Sequence, residues 1–339
     1  MPDSETEAPQ GIADLCARQG VPLHAFDMGR QLTPVDVETL AAVERGDTPW
    51  PLPFQGRARL GLVGETGADP FVWFLALPLD EAGYLHPAVR DDLLARLAEA
   101  PLREQDPNEH DPLGDNPYGF TPDPERMAAL HARAGRLLGR EPSAYYEHVR
   151  IYLTGAHGWD QWAFLGLQGL ADIAERLDEA DNAERVAGAI PQLPATPFEA
   201  LARQLEHVTL PEPVAAALLD RAETATGTEA AAALRGLTGA ADAAPRRAWL
   251  TRRLGGLDPE TEAEFLAAVA GRAWADLADP AVAGAFLEAL AGTGQEVFSK
   301  TITELVALPG MRSALRDAIA DPARSETVSR AAAALPTLP

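Results

Sequence analysis

A long series of short helical segments, separated by helix-breaking residues, is the feature that most constrains the fold of this chain. From about residue 180 onward, apolar-periodic segments alternate with breaks that carry Gly, Pro or a candidate N-cap. These breaks fall at 191–197, 210–213, 226–228, 243–245, 257–259, 279–280, 309–310 and 321–322. One short segment cannot bury a hydrophobic face alone, so neighbouring segments must stack. The pattern predicts an irregular stack of helical hairpins, HEAT-like but without a strict repeat.

The first hundred residues have a different periodicity, typical of a small antiparallel α+β unit. Residues 21–27 alternate as a strand does, and Thr33 with Pro34 is a candidate helix start for a helix reaching Arg45. Segments 57–64 and 71–77 then predict a hairpin around the sequence GETGADP, followed by an amphipathic helix over 86–99. The predicted fold class is therefore α+β, a small N-terminal antiparallel unit followed by a mostly α-helical, HEAT-like array.

These patterns divide the chain into three parts. Residues 1–100 form the small α+β domain, 101–124 a Pro-rich connector, and 125–339 the helical array. Within the array, helices over about 125–138, 143–153 and 159–178 carry aromatic residues at the junction, and 180–339 form the helical hairpins. The connector contains the aromatic sequence Asn-Pro-Tyr-Gly-Phe at 116–120, which we expect to dock on a neighbouring element.

Charge and composition limit the function classes. The net charge is −23, and an acidic field repels phosphate backbones and anionic lipid, which disfavours nucleic-acid and membrane-surface binding. Lys300 is the only lysine, and this acidic, lysine-poor surface suits a salt-adapted, halophile-like host. Cys16 is the only cysteine, which excludes a disulfide framework and a thiolate metal site. The acidic N-terminus lacks the features of a signal peptide, and no long apolar run is present, so we expect a cytoplasmic protein.

Polar aromatic residues concentrate between positions 145 and 162. Seven residues there form a candidate ligand pocket: Tyr145, Tyr146, Glu147, His148, Trp159, Asp160 and Trp162. On a helix, Tyr145 and His148 share one face, as do Trp159 and Trp162 at the start of the next helix. The same pattern is also typical of a helix hairpin whose aromatic rings pack in a core with their polar tips at its rim. Gly166 and Gly169 would let another backbone approach closely.

Motifs that would define an enzyme class are absent from the sequence. Glu147, His148, His157 and Asp160 are acceptable metal ligand types, but their spacing matches no known metal motif, and we expect no metal and no cofactor. The sequence contains no nucleophile elbow, no phosphate-binding loop and no dinucleotide fingerprint. Most covalent enzyme classes are therefore disfavoured.

One basic segment interrupts the acidic field. If residues 246–253 are helical, Arg246, Trp249 and Arg253 line one face, with Arg247 and Arg252 beside them. Guanidinium groups around an indole form a candidate partner patch for an acidic peptide or a phosphate. The alternative is an ordinary solvated face whose charges are balanced by acids on adjacent helices.

Several short motifs in the front half resemble those of a known family. They are Phe26 to Arg30, Trp73-Phe74, Pro78 to Glu81, Asn116 to Tyr118, Tyr145 to His148 and Gly158 to Trp162. In this order they resemble an uncharacterised gammaproteobacterial family of about this length, described as a domain of unknown function (number 3549). The resemblance implies a soluble bacterial protein, and it carries over no reaction, cofactor or catalytic residue.

Reactive side chains are concentrated before residue 160, and after His207 the chain has no His, Tyr or Cys. We therefore interpret the chain as a non-enzymatic scaffold that binds an unidentified protein partner through its helical array. The alternative is an enzyme or small-ligand sensor with its site around 145–162. There Glu147 or His148 would act as acid or base, and Tyr145, Tyr146 and Trp159 would form the walls.

Overall fold

The computed structural model describes residues 9–65, 70–97, 116–259 and 262–335. The chain forms two compact units, Met1–Pro122 and Asp123–Pro339. The first holds an antiparallel sheet and the second holds only helices within the described residues. The predicted fold class, a small antiparallel α+β unit followed by a helical array, is confirmed.

The sheet of the first unit has four described strands in the order β2-β1-β3-β4, and all neighbouring pairs are antiparallel. The strands are β1 Leu23–Asp27, β2 Thr33–Val35, β3 Arg57–Gly64 and β4 Phe71–Pro78, and the helices are α1 Ile12–Arg18, α2 Val37–Arg45 and α3 Pro87–Leu97. The predicted hairpin is confirmed, with Gly64 paired to Phe71, while residues 66–69 of its turn lie outside the described residues. The C-terminal end of the helix predicted over 86–99 also lies outside them.

The predicted helix start at Thr33 is wrong. Residues 33–35 form strand β2, in which Pro34 pairs with Phe26 of β1. Helix α2 begins at Val37, because the carboxylate of Asp36 accepts a hydrogen bond from the Thr39 amide at 2.7 Å and caps the helix. Sheet pairing thus overrides the local helix-start signal of Thr-Pro.

The aromatic piece of the connector docks as expected. The amide of Ala76 in β4 donates to the carbonyl of Tyr118 at 2.7 Å, and the amide of Phe120 donates to the carbonyl of Phe74 at 3.2 Å. Residues 101–115 of the predicted connector lie outside the described residues.

The second unit consists of short helices packed in two rows. Its α-helices are α4 Pro124–Leu137, α5 Tyr146–Tyr152, α6 Leu167–Glu175, α7 Asn182–Ala189, α8 Ala195–Leu205, α9 Glu212–Thr224, α10 Gly227–Leu237, α11 Ala244–Gly255, α12 Ala263–Gly271, α13 Pro280–Ala291, α14 Gln295–Val306, α15 Met311–Ile319 and α16 Glu326–Ala333. Two 3₁₀ helices, Trp159–Phe164 and Trp274–Ala278, interrupt the series. Helices α4, α6, α8, α10 and α12 contact one another in turn, and so do α7, α9, α11, α13 and α15. This alternation is the arrangement of stacked helical hairpins.

A single helix over 159–178 was expected and is not found. The 3₁₀ helix ends at Phe164, Leu165 is extended, and α6 begins at Leu167 after Gly166. The side chain of Tyr145 occupies the space beside Gly166, where an added Cβ would lie 2.9 Å from its Cγ atom. This close approach places the break between the two helical segments.

Candidate functional site

Helix α5 begins at a close crossing with α6. An added Cβ at Gly169 would lie 2.7 Å from the carbonyl oxygen of Tyr145 and 2.7 Å from Cγ2 of Val149. The expectation that Gly169 lets another backbone approach is therefore confirmed. Tyr145 is the N-cap residue of α5, and 56% of it is exposed.

Two of the tyrosines in this region hold the fold together. Tyr146 is buried, and its hydroxyl accepts a hydrogen bond from Asn182 Nδ2 at 2.9 Å. Tyr152 is buried one turn and a half further on, and its hydroxyl donates to the carbonyl of Trp159 at 3.0 Å. The rings of Tyr152 and Trp159 also meet edge to face at 5.6 Å. These contacts fix the 3₁₀ helix Trp159–Phe164 against α5.

The candidate acid and base of this region face solvent. Glu147 and His148 are both exposed, and Glu147 forms an ion pair with Arg150 at 3.3 Å. Arg150 also binds Asp181 at 2.8 Å. Hydrogen bonds from Arg185 and Arg150 lower the pKa of the Asp181 carboxyl.

Large apolar side chains are exposed along α5 and the 3₁₀ helix. Tyr145 and Ile151 on the first element are 56% and 44% exposed, and Trp162 and Phe164 on the second are 37% and 73% exposed. We call these four residues the aromatic edge. Trp159 and Leu165 pack against the core, whereas Trp162 and Phe164 are exposed to solvent.

The seven residues of the candidate pocket are thus divided between interior and surface. Tyr146 is buried and Trp159 partly buried, whereas Tyr145, Glu147, His148, Asp160 and Trp162 are exposed. The structure also shows two clefts of about 380 and 350 Å³, lined by residues of α1 and α2 and of α12 to α14, and none of the seven lines either. Sequence reasoning missed Ile151 and Phe164. The sequence did contain a signal for Ile151, because this isoleucine follows His148 by three residues and so lies on the polar face of α5.

The basic segment of α11 is ion-paired to its neighbours. Arg246 is buried and binds both oxygens of Asp276, at 2.6 and 2.9 Å, and Arg247 binds the same carboxylate at 3.0 Å. Arg252 pairs with Glu223 and Arg253 with Glu262. Trp249 is only 2% exposed, and its ring meets that of Phe265 edge to face. The indole is therefore part of the core and is not available to a partner.

A second group of charges is buried around Glu206, at the end of α8. Arg235 donates to both oxygens of Glu206 at 2.6 and 2.8 Å, and Arg272 lies 3.2 Å away. Burial pushes the pKa of Glu206 upward, but the hydrogen bond from Arg235 and the charge of Arg272 outweigh it and lower the pKa to about 2. Burial lowers the pKa of neighbouring His207 to about 4, so this imidazole is neutral at neutral pH. Here the acid side chain joins α8 to α10 and to the end of α12.

The Phe26-to-Arg30 motif of the first unit also has a structural role. The buried carboxylate of Asp27 accepts hydrogen bonds from the amide of Gly29 and from Nε1 of Trp50, each at 3.0 Å. The guanidinium groups of Arg30 and Arg59 lie 5.2 and 4.9 Å from the ring centroid of Phe54. These contacts tie the end of β1 to the segment before β3.

Comparison with known proteins places the chain in a family. The model of a family described as "Protein of unknown function (DUF3549)" matches residues 8–336. No curated protein matches the chain, and neither does any solved structure. In the described part of the chain, no helix has the length and apolar character needed to span a membrane. Within the same residues, no group of three or more His, Cys, Asp or Glu side chains is placed to hold a metal ion.

Proposed function

We propose that this chain, which belongs to the DUF3549 family, is a non-enzymatic scaffold that docks a protein partner on its aromatic edge. Helical arrays present extended surfaces to partners, and aromatic side chains dominate the binding energy of most protein interfaces. The proposal combines these two properties at Tyr145, Ile151, Trp162 and Phe164.

The observation that carries the proposal is the concentration of exposed apolar side chains at this edge. In the described part of the chain, seven large hydrophobic residues are exposed, and four of them belong to the aromatic edge. Both of its elements are held in place by close contacts, namely Tyr152 to Trp159 and Gly169 to Tyr145. Several large apolar side chains exposed on two elements that contact each other are typical of interaction sites.

The exposed residues at the two ends of the helical array differ in polarity. The exposed face of α16, at its C-terminal end, is largely polar and includes Glu326, Thr327, Ser329 and Arg330. A polar outer face is what a terminal repeat needs when it faces solvent. Helix α5 and the 3₁₀ helix that follows it, near the start of the array, instead expose Ile151 and Phe164, which supports the presence of a partner there.

The alternative function, an enzyme or small-ligand sensor around 145–162, has less support. Glu147 and His148 are exposed on one turn of α5, and Tyr146 is bonded to Asn182. An acid-base pair normally works in a concave site that excludes water. A library of metabolites tested by thermal shift would favour this alternative if one compound raised the melting temperature of the wild type and not of the His148→Ala variant.

The proposed function is tested by affinity capture from an extract of the native host with three full-length baits. They are the wild type, Phe164→Ser and the matched control Val297→Ser, which changes a residue 48% exposed on α14. The captured partner is then purified and titrated against each bait.

We expect Phe164→Ser to raise the Kd at least about tenfold, because one central aromatic anchor contributes about 1.4 kcal/mol or more. Val297→Ser should leave the Kd within about twofold. The proposal fails if wild type and Phe164→Ser bind the partner equally, or if no stoichiometric partner is retained.

A further inference from the structure

We propose that the segment bound at the aromatic edge is a basic one, in which Arg or Lys side chains flank apolar anchors. This inference rests on the proposed function and adds to it the chemistry of the partner. Two observations support the inference: the acidic side chains near the aromatic edge, and the exposed rings of the edge.

Exposed carboxylates lie on the elements of the aromatic edge and on the turn beside α5. Glu141, Glu147 and Asp160 are exposed on the same two elements or just before them. Asp178, Glu179 and Asp181 are exposed in the turn before α7, and Glu184 is exposed in the first turn of α7 itself. This turn lies directly beside α5, since Arg150 reaches both Asp181 and Asn182. We call these seven carboxylates the acidic rim.

The arginines of the region neutralise only part of the rim. Arg136 pairs with Asp178, Arg150 and Arg185 with Asp181, and Arg176 with Glu179. Among the described residues, no basic side chain lies within ion-pair distance of Glu141, Asp160 or Glu184. Residues 136–185 contain nine acidic and five basic side chains, which gives this stretch a formal charge of −4. A basic partner would neutralise the remaining negative charge.

The exposed rings suit the same partner. Tyr145 and Trp162 present aromatic surface beside carboxylates, and a guanidinium or ammonium group is attracted to both. Phe164 and Ile151 have no polar atoms, so they require aliphatic or aromatic side chains opposite them. Together these requirements describe a segment that is both basic and apolar.

Other occupants are disfavoured by the same charges. An anionic membrane surface and a nucleic acid would be repelled by the acidic rim. A second copy of this chain would bring together two molecules that each carry a net charge of −23. Basic partners gain instead from long-range steering toward the acidic surface.

A random-peptide display selection on the full-length wild-type chain, with counter-selection on Phe164→Ser, tests the inference. Counter-selection removes peptides that bind the acidic surface without using the edge. We expect the surviving peptides to carry net positive charge and at least one large apolar residue. Their binding should weaken at least about tenfold between 50 and 500 mM NaCl, because exposed charges are screened.

Two rim variants give a second readout. Asp160→Asn and Glu184→Gln each remove a carboxylate charge that has no ion-pair partner among the described residues. The amide oxygen introduced at position 160 can still accept the hydrogen bond that Gln161 Nε2 donates to Asp160 at 2.9 Å. We expect each to weaken a selected peptide by about threefold to tenfold. The matched control Glu296→Gln removes an exposed carboxylate of α14 that is also outside ion-pair distance of any basic side chain among the described residues, and it should change binding by less than about twofold.

The outcomes separate the two proposals. If Phe164-dependent peptides are selected but are neutral or acidic, the basic-partner inference is overturned while the docking surface stands. If no selected peptide distinguishes wild type from Phe164→Ser, the docking surface itself is overturned. Salt-independent binding, or rim variants that bind like the wild type, would also contradict the inference.

Discussion

Glu44 is a single residue whose charge state controls part of the stability of the first unit. It is a buried carboxyl that accepts hydrogen bonds from the amides of Ile12 and Ala13 at 2.7 and 3.1 Å, and so caps helix α1. Burial raises its pKa from 4.5 to about 7, against the opposing effect of these two hydrogen bonds. The folded state therefore binds a proton at a pH where the unfolded chain has released it.

This shift predicts a pH-dependent contribution to stability. The contribution of Glu44 is fully present below pH 4.5 and is lost as the pH rises toward about 7, after which it is constant. We expect the difference in unfolding free energy between pH 5 and pH 8 to be smaller in Glu44→Gln than in wild type by on the order of 1–3 kcal/mol. Urea unfolding followed by circular dichroism at both pH values measures it. An unchanged difference would show that Glu44 is ionised throughout.

At the scale of residues, the sequence showed which side chains cluster together, but it did not show which of them are buried and which are exposed. The cluster from Tyr145 to Trp162 was identified from its composition, but a helical period alone does not tell which face meets the core. Tyr146 is therefore buried while Tyr145, its neighbour, is exposed. Trp249 shows the same limit, because the arginines on either side suggested a surface and only the position of Phe265 shows that the indole is internal.

At the scale of elements, the crossing of α5 and α6 depends on Gly169. We expect Gly169→Ala to destabilise the protein by about 1–3 kcal/mol, because the added Cβ would press on Tyr145 and Val149. Gly188→Ala is the matched control, since Gly188 is within α7 and its Cβ would meet nothing within 4 Å. That change should stabilise the protein by up to about 1 kcal/mol through helix propensity. Equal urea midpoints for the two variants would contradict the close crossing.

Helix α11 is joined to the 3₁₀ helix Trp274–Ala278 by the buried pair of Arg246 and Asp276. Asp276→Ala leaves the Arg246 guanidinium buried without its carboxylate, and we expect a loss of about 3–5 kcal/mol in unfolding free energy. The control Glu223→Ala removes the exposed partner of Arg252 and should cost less than about 1 kcal/mol. Chemical denaturation measures the unfolding free energy of both variants. Similar losses in the two would mean that the buried pair contributes no more to stability than the exposed pair.

The elements that the sequence predicted well are those with strong local patterns. The hairpin of β3 and β4 follows from two apolar segments on either side of a turn that contains glycine, and the later helices follow from their Gly and Pro breaks. The errors occur where tertiary contacts, and not the local sequence, determine the secondary structure. Pairing with β1 makes a strand of residues 33–35, and the ring of Tyr145 beside Gly166 separates the 3₁₀ helix from α6.

At the scale of the whole molecule, the acidic side chains near the aromatic edge differ in their ion pairing from those buried elsewhere in the array. Across the array, buried acids are bound by arginines of neighbouring helices, as Glu206 is by Arg235 and Asp276 by Arg246. Beside the edge, Glu141, Asp160 and Glu184 are exposed and have no such partner among the described residues. We therefore propose the aromatic edge as the docking location of the predicted scaffold, a location that the amino-acid sequence alone did not assign to it.

The most direct measurement of this account is photo-crosslinking in the native host. Phe164 is replaced by the photoreactive aromatic residue benzoylphenylalanine, and in a second strain Val297 is replaced in the same way. Both positions are exposed, so both probes reach solvent and any bound molecule. We expect a discrete higher-mass adduct with one partner protein at position 164 and none at position 297. Equal adducts at both positions, or no adduct at position 164, would contradict it.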